Sequence, residues 1–178
     1  MYHTLPPEQR RSPEKILSHM VKYPHTGVDE DTTFIISFPT TTPSNKLGRT
    51  SHGIGMTSFP VSSDPDQCGS VGPAIRIQGT KGEIQVDGPA FQPERYRVVP
   101  LKQGDEPVTV LERWCPFPAN GHGMYYEADE AARCVRDGKM ESPTMPWSES
   151  ILIMEVMDEI RKQCGLHYPD TIESVDLT

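Results

Sequence analysis

The order of apolar and polar positions divides the chain into a strand-like part and a helix-like part. Runs rich in β-branched and aromatic residues, separated by glycine, proline, asparagine and aspartate, are typical of strands and turns. We therefore expect a sheet in the part of the chain before Trp114. The pattern predicts these strands: Ile16–Tyr23, Thr32–Phe38, His52–Phe59, Ala74–Gln78, Glu83–Asp87, Arg95–Leu101 and Pro107–Arg113.

The strongest local signal is a hairpin around the turn Gly79-Thr80-Lys81-Gly82. Apolar residues on both sides of this turn recur at every second position, so they are expected to share one face of the sheet. These residues are Ile75, Ile77, Ile84 and Val86. A second hairpin is predicted around residues 103–106.

Two segments after Trp114 have the spacing of apolar residues that is typical of amphipathic helices. Met124–Asp137 is the first predicted helix, and Gly138 suits its end. Pro146–Cys164 is the second, followed by Gly165. Strands followed by helices indicate an α+β fold, in which an antiparallel sheet has helices packed on one face. The strand–helix alternation of a Rossmann domain is absent.

The ends of the chain differ in composition from the part between them. Residues 1–15 are polar and rich in proline, which predicts an irregular lead-in. Residues 16–169 carry the predicted elements and form the expected domain, and residues 170–178 form an acidic tail. A length of 178 residues fits one domain with short extensions.

Charge and cysteine content exclude several classes of protein. The chain has 17 Lys and Arg against 25 Asp and Glu, a net charge of −8, which weighs against binding to nucleic acid. No apolar run reaches the roughly 18 residues of a membrane span, and no signal-peptide pattern occurs. The cysteines lack CxxC spacing, which excludes the usual zinc patterns and favours reduced thiols in a cytoplasmic protein. They are Cys68, Cys115, Cys134 and Cys164.

Motifs for phosphate or metal binding are incomplete. The glycine pairs Gly53-Ile54-Gly55 and Gly121-His122-Gly123 do not complete GxGxxG, so we interpret the second pair as a turn into a helix. The histidines are spread out without HxH or HExxH spacing, and no metal site is predicted. Trp114, Phe117 and Trp147 are interpreted as core or interface aromatics.

One loop combines side chains that could contact a sugar. Between the first two predicted strands an aromatic ring, a histidine, a hydroxyl group and a carboxylate occur within a few residues. The same residues would also suit an ordinary hairpin loop. The predicted substrate-binding residues are Tyr23, His25, Thr26 and Asp29.

Four segments carry a resemblance to a known family. They are KYPHTGVDEDTT, AIRIQGTKGEIQVDGPAFQPERYRV, GHGMYYEADEAARCVRDGKMESPTMPW and SILIMEVMDEIRKQCGLHYP. Together they resemble the C-terminal domain of the glucose–fructose oxidoreductase-like (Gfo/Idh/MocA) family, in the branch of dimeric dihydrodiol dehydrogenases and NADP-dependent D-xylose 1-dehydrogenases. The resemblance covers nearly the whole chain, from Tyr2 to Pro169.

The resemblance implies a two-domain enzyme. An N-terminal Rossmann domain would hold NADP. The C-terminal domain would have a large, predominantly antiparallel open sheet with helices packed on one face, which would supply part of the substrate wall and the dimer interface. Hydride transfer from the sugar C1 to NADP would give the lactone, with a lysine in proton transfer and a tyrosine nearby. The glycine loop, that lysine and that tyrosine are missing here, so no catalytic or cofactor-binding residue is assigned.

The resemblance also sets the expected behaviour of the chain. By itself it is expected to be inactive and to bind no NADP. In the full enzyme the partners would be an aldose or dihydrodiol substrate and a second copy at the open sheet face. Two other interpretations stay open: a non-catalytic dimerisation module, and an unrelated sugar-binding or β-rich scaffold domain.

Overall fold

A computed structural model describes residues 12–39, 50–62, 64–66, 68, 71–118, 121 and 123–173. The chain divides into two compact units. The first unit combines the residues up to Pro60 with those from Met145 onwards, and the second unit runs from Val61 to Thr144. Most of the predicted lead-in and the end of the predicted acidic tail lie outside the described residues. The extent of the predicted domain, residues 16–169, stays a prediction.

Strands precede helices along the chain, as the sequence predicts. Within the predicted acidic tail, residues 170–173 form one helical turn. In the part of the chain that the structure describes, no helix is long and apolar enough to cross a membrane. The elements are β1 (Lys15–Lys22), β2 (Asp29–Pro39), β3 (Thr50–Ser58), β4 (Pro73–Gly79), β5 (Gly82–Asp87), β6 (Arg95–Pro100), β7 (Leu111–Trp114), α1 (Tyr125–Arg136), α2 (Trp147–Gln163) and α3 (Asp170–Glu173).

The strands form two antiparallel sheets rather than the one large sheet that was expected. One has three strands in the order β1-β2-β3, and the other has four in the order β4-β5-β6-β7. No tight turn joins β3 to β4, because β3 ends at Ser58 and β4 begins only at Pro73. Proline has no N–H to donate to a neighbouring strand. The predicted antiparallel α+β class is therefore confirmed, but the strands form two smaller sheets instead of one large sheet.

The last strand begins later than predicted. We expected a strand at Pro107–Arg113, whereas β7 is Leu111–Trp114. Its pairing with β6 starts at Val98 and Leu111, and residues 101–110 form the connection. The apolar residues just before β7 resemble a strand in composition, but they have no ladder partner on β6.

Helix α2 packs on the three-stranded sheet through β1. The Ser18 hydroxyl donates a hydrogen bond to the carbonyl oxygen of Ile160 at 3.3 Å. The Gln163 side-chain amide donates to the carbonyl oxygen of Ile16 at 2.9 Å. These bonds join positions more than 140 residues apart in the sequence. They fix the end of α2 beside the middle of β1.

The side of the three-stranded sheet that faces α2 depends on a glycine in β3. Phe34 of β2 lies directly opposite Gly55 in the strand register. A Cβ atom at Gly55 would overlap the ring of Phe34. Together with Ile36 and Phe38, this ring lines an apolar cavity of about 280 Å³ against α2. The glycine therefore makes room for the ring.

The opposite face of the three-stranded sheet is apolar and exposed. Ile54 and Met56 of β3 are 76% and 71% exposed. Leu17, Val21 and Ile35 lie on the same face and are also exposed. We call these five side chains the open face. We expected a second copy of the chain to cover such a face.

The four-stranded sheet has one apolar and one charged face. The register pairs Ile75 with Val86 and Ile77 with Ile84, so the predicted sharing of one face by these residues is confirmed. The alternate positions carry charged and amide side chains. The separation follows from the period of two along each strand.

A hydrogen-bond cluster on the charged face holds Glu83 ionised. Hydrogen bonds from Arg76, and then from Gln78 and Gln85, lower the pKa of Glu83 from 4.5 to about 2. Arg76 donates to both carboxylate oxygens at 2.7 Å. A group with a lowered pKa in the folded state stabilises the fold above its unfolded pKa and loses that contribution as the pH falls.

This cluster predicts an acid-dependent loss of stability. Between pH 4.5 and about pH 2 the unfolded chain takes up the Glu83 proton more readily than the folded chain does. We expect the urea midpoint of the unsubstituted chain to fall over this interval more than that of Glu83→Gln, which has no charge to lose. Urea unfolding of both proteins at a series of pH values measures the difference. Parallel pH profiles would contradict the prediction.

Helix α1 is fixed to the chain around it mainly through its C-terminal half. Cys134 is buried, and its thiol lies 3.8 Å from an oxygen of Glu130 and 3.8 Å from the carbonyl oxygen of Glu141. Burial, and then the nearby charge of Glu130, raise the pKa of this thiol. The Ser142 hydroxyl donates to Glu130 at 2.7 Å. Cys134 is thus a packed, protonated side chain.

Candidate functional site

The loop between β1 and β2 is closed by its own backbone. The Tyr23 N–H donates to the carbonyl oxygen of Val28, and the Gly27 N–H donates to the carbonyl oxygen of Tyr23, both at 2.8 Å. Gly27 has a φ angle of 75°, in the left-handed region that favours glycine. The loop therefore has a defined geometry that holds the predicted substrate-binding residues.

The structure brings three of the four predicted residues together. The rings of Tyr23 and His25 lie 5.2 Å apart between centroids and are tilted by 56°. Tyr23 and Asp29 line a cavity of about 350 Å³, which we call the loop cavity. His25 and Thr26 lie in the turn between β1 and β2, but neither lines this cavity. The cavity is completed by Val28, Glu30, Phe59 and Pro60.

The loop cavity combines an apolar wall with acceptor groups. Phe59 lines the cavity and is 85% exposed, so its aromatic surface is open to a ligand. Asp29 and Glu30 are half-buried and bring two carboxylates to the same cavity. Carboxylates accept hydrogen bonds from hydroxyl groups. This arrangement suits binding of a neutral or cationic ligand.

Both incomplete glycine motifs have a packing role. Gly53 and Gly55 lie inside β3, where Gly55 faces the ring of Phe34. Gly123 precedes α1 with a φ angle of 84°, and a Cβ atom there would overlap the ring of Phe117. Gly55 and Gly123 therefore each make room for an aromatic ring.

No group of three or more His, Cys, Asp or Glu side chains that could hold a metal ion occurs in the described residues. His52 lies on the three-stranded sheet, with its Nδ1 atom 3.1 Å from the Ser37 hydroxyl. Four free cysteines are described, two of them exposed, at Cys68 and Cys115.

The second unit contains a cavity that sequence reasoning missed. This polar cavity has a volume of about 290 Å³, and its lining includes Asp64, Asp87, Gln92, Glu94, Arg95 and Trp114. Trp114 was expected in a core or interface, and at 62% exposure it does not lie in the core. The polar alternation of β5 and β6 was a sequence signal for this side of the sheet. The sequence did not show that Asp64, Asp87 and Glu94 line one cavity with Trp114 at the end of β7.

The carboxylates of the polar cavity are held by arginines and by the backbone. Asp87 is buried and accepts a hydrogen bond from Arg97 at 2.8 Å. Its second oxygen lies 3.4 Å from Nε of Arg95, which also pairs with Glu112 at 2.8 Å. Glu94 accepts a hydrogen bond from the Phe117 N–H at 2.9 Å. The carboxylates thus have fixed positions.

Comparison with curated proteins gives similarity to two kinds of dehydrogenase. The chain is 45% identical to D-xylose 1-dehydrogenase (NADP(+)) of Hypocrea jecorina, over 97% of the chain and 41% of that protein. It is 32% identical to human trans-1,2-dihydrobenzene-1,2-diol dehydrogenase, over 89% of the chain and 42% of that protein. The rabbit protein of the same name is 31% identical, with 43% of its length covered.

Two further comparisons gave no match. No protein-family model matches the chain. No solved structure matches it either. The chain is therefore similar over nearly its whole length to proteins named as dehydrogenases, and it spans about two fifths of the length of the curated relatives that it matches.

Proposed function

We propose that this chain is the C-terminal, substrate-binding and dimer-forming part of an NADP-dependent dehydrogenase of the Gfo/Idh/MocA family. The observation that carries the proposal is the 45% identity to D-xylose 1-dehydrogenase (NADP(+)) over 97% of the chain. The substrate would be an aldose or a dihydrodiol, and the protein would work in the cytoplasm. The residues that perform the oxidation would belong to a part of the enzyme that this chain does not include.

The described residues do not fit NADP. A dinucleotide site needs a glycine loop between a strand and a helix, with backbone N–H groups directed at the phosphates. Gly55 instead faces Phe34, and Gly123 faces Phe117. In our proposal the cofactor is bound elsewhere in the full enzyme, and the chain alone is inactive.

The loop cavity is the proposed substrate wall in the first unit. Tyr23, His25, Thr26 and Asp29 are the proposed contact residues. The ring pair of Tyr23 and His25, with the carboxylate of Asp29 in the adjacent cavity, supports this assignment. His25 and Thr26 contribute only if the loop changes conformation, because neither residue lines the cavity.

The open face is the proposed dimer interface. Large contiguous apolar patches are rare on monomers and mark interaction sites. Ile54 and Met56 at 76% and 71% exposure would be covered by a second copy of the chain. This face also supports a second candidate function, a dimerisation module without catalytic activity.

The proposed function is tested on the native product. An antibody against α2 would precipitate the protein from its source cells, and the precipitate would be assayed for NADP reduction with D-xylose and with a trans-dihydrodiol. We expect a polypeptide larger than 19.9 kDa and activity with one of these substrates. The purified 178-residue chain should give no NADPH fluorescence change.

Three outcomes would contradict the proposal. A native product of 19.9 kDa whose precipitate reduces no NADP would favour the dimerisation module. Saturable NADPH binding by the purified chain would show that the cofactor assignment is wrong. A longer product without either activity would refute the dehydrogenase assignment.

A further inference from the structure

The polar cavity of the second unit has hydrogen-bond acceptors at fixed positions. An ionised carboxylate has about four acceptor sites on its two oxygens. Arg97 and Arg95 approach different oxygens of Asp87, and the Phe117 N–H reaches one oxygen of Glu94. Each carboxylate therefore keeps acceptor sites for hydroxyl groups of a ligand. Because these side chains are already held in place, a ligand would lose little affinity to ordering them.

The same cavity has an aromatic surface at its edge. Trp114 lies in β7 directly opposite Arg95 of β6, and it is 62% exposed. A tryptophan side chain gives a large, rigid apolar surface with few rotatable bonds. Sugars present both hydroxyl groups and an apolar face of C–H bonds. The combination of Trp114 with Asp87 and Glu94 matches these two features.

Charge and size narrow the ligand class. Asp87, Glu94 and Glu112 carry three negative charges around the cavity, against the two positive charges of Arg95 and Arg97. An anionic ligand such as a sugar phosphate or a sugar acid would be repelled by this excess of negative charge. A volume of about 290 Å³ lies near the lower limit of small-molecule sites, roughly 300 Å³. A single neutral sugar ring fits, and a dinucleotide does not.

We propose that the polar cavity binds a neutral aldose, with Trp114 against the sugar ring and with Glu94 and Asp87 accepting its hydroxyl groups. The choice of an aldose rests on the proposed function. The location rests on the second unit alone and is independent of the loop cavity. Gln92 adds an amide that can both donate and accept.

The test uses tryptophan fluorescence of the full 178-residue chain. The chain contains two tryptophans, so Trp147→Phe leaves Trp114 as the only one. We expect D-xylose to change the Trp114 emission in a saturable way, with a dissociation constant of about 1–10 mM. D-xylonate, which is anionic, should give no saturable change. Trp114→Phe, which keeps Trp147, should give no response to either compound.

A second variant tests the acceptor role. Glu94→Gln keeps an oxygen for the Phe117 N–H but removes the negative charge. We expect about three- to tenfold weaker D-xylose binding with an unchanged melting temperature, because a hydrogen bond to a charged group is stronger than one to an amide. Asp158→Asn changes an exposed carboxylate of α2 in the first unit and is the matched control, and it should leave the Trp114 titration unchanged.

Three results would overturn the proposal. They are the absence of a saturable Trp114 response to D-xylose, an equal response to D-xylonate, and an unchanged affinity in Glu94→Gln. None of them would affect the size or activity of the native product, on which the proposed function depends. Conversely, a native product without dehydrogenase activity would refute the proposed function while a Trp114 response still located an aldose site.

Discussion

An alanine at position 82 is expected to lower the free energy of unfolding of the second unit by about 3 kcal/mol. Gly82 begins β5 with a φ angle of 143°, which side chains rarely adopt. A Cβ atom there would overlap the carbonyl oxygen of Val99 and lie 2.8 Å from Cα of Pro100. Both are backbone atoms, so the overlap cannot be relieved by a rotamer change.

Urea unfolding of Gly82→Ala and Gly79→Ala measures this effect. Gly79 pairs with Gly82 across the same two-residue turn, but the nearest atom to its Cβ position is 3.7 Å away. We expect Gly79→Ala to change the stability by less than about 1 kcal/mol. Equal losses of stability in the two variants would contradict the prediction, because only the Cβ atom at position 82 overlaps backbone atoms.

Asp87→Ala is expected to lower the free energy of unfolding by about 3 kcal/mol, because it removes the acceptor from two arginines. The Asp87 side chain is 12% exposed and pairs with Arg97 at 2.8 Å and with Arg95 at 3.4 Å. Without it, two guanidinium groups remain close together on one face of the sheet with less compensating charge. The loss is a large part of the stability of a typical domain, about 5–15 kcal/mol.

Glu112→Ala is the matched control for Asp87→Ala. Glu112 pairs with the same Arg95 at 2.8 Å, but its side chain is 52% exposed. Exposed ion pairs contribute about 0–1 kcal/mol, so we expect a small change. Thermal unfolding of both variants followed by circular dichroism gives the comparison. A loss in Glu112→Ala as large as in Asp87→Ala would show that burial of Asp87 is not what makes its ion pairs strong.

The local structure could be predicted because neighbouring residues determine it. The turn at Gly79–Gly82 and the alternation of Ile75, Ile77, Ile84 and Val86 fix the register of the β4–β5 hairpin. Helix α2 was predicted at Pro146–Cys164 and forms at Trp147–Gln163. The spacing of apolar residues and the turn residues are local signals, and they were sufficient to predict this hairpin and this helix.

The division into two sheets could not be predicted from local signals. Which strands pair depends on hydrogen bonds between distant segments, as does the contact of α2 with β1 through Ser18 and Gln163. One large sheet was expected because a run of strands before the helices indicates an antiparallel sheet and the family resemblance implies a large one. The late start of β7 has the same origin, because a ladder partner decides where a strand begins.

The two candidate sites differ in how the sequence encodes them. The loop cavity draws Tyr23 and Asp29 from one short loop, so proximity in sequence was enough to suggest it. The polar cavity is lined by residues that are spread between Asp64 and Trp114, and none of them belongs to a motif that indicates a binding site. Only the register of β6 with β7 brings Arg95 opposite Trp114.

The first unit is discontinuous in sequence, so the ribosome synthesises its two segments at different times. Residues 61–144 are contiguous and can fold as soon as they emerge, since domains fold as units during synthesis. The sheet of β1, β2 and β3 is translated before the second unit, but its partner helix α2 is translated only after that unit. Phe34 and its apolar neighbours therefore stay without their covering helix while the whole second unit is made. A nascent chain stalled before Trp147 would be the species most exposed to chaperones.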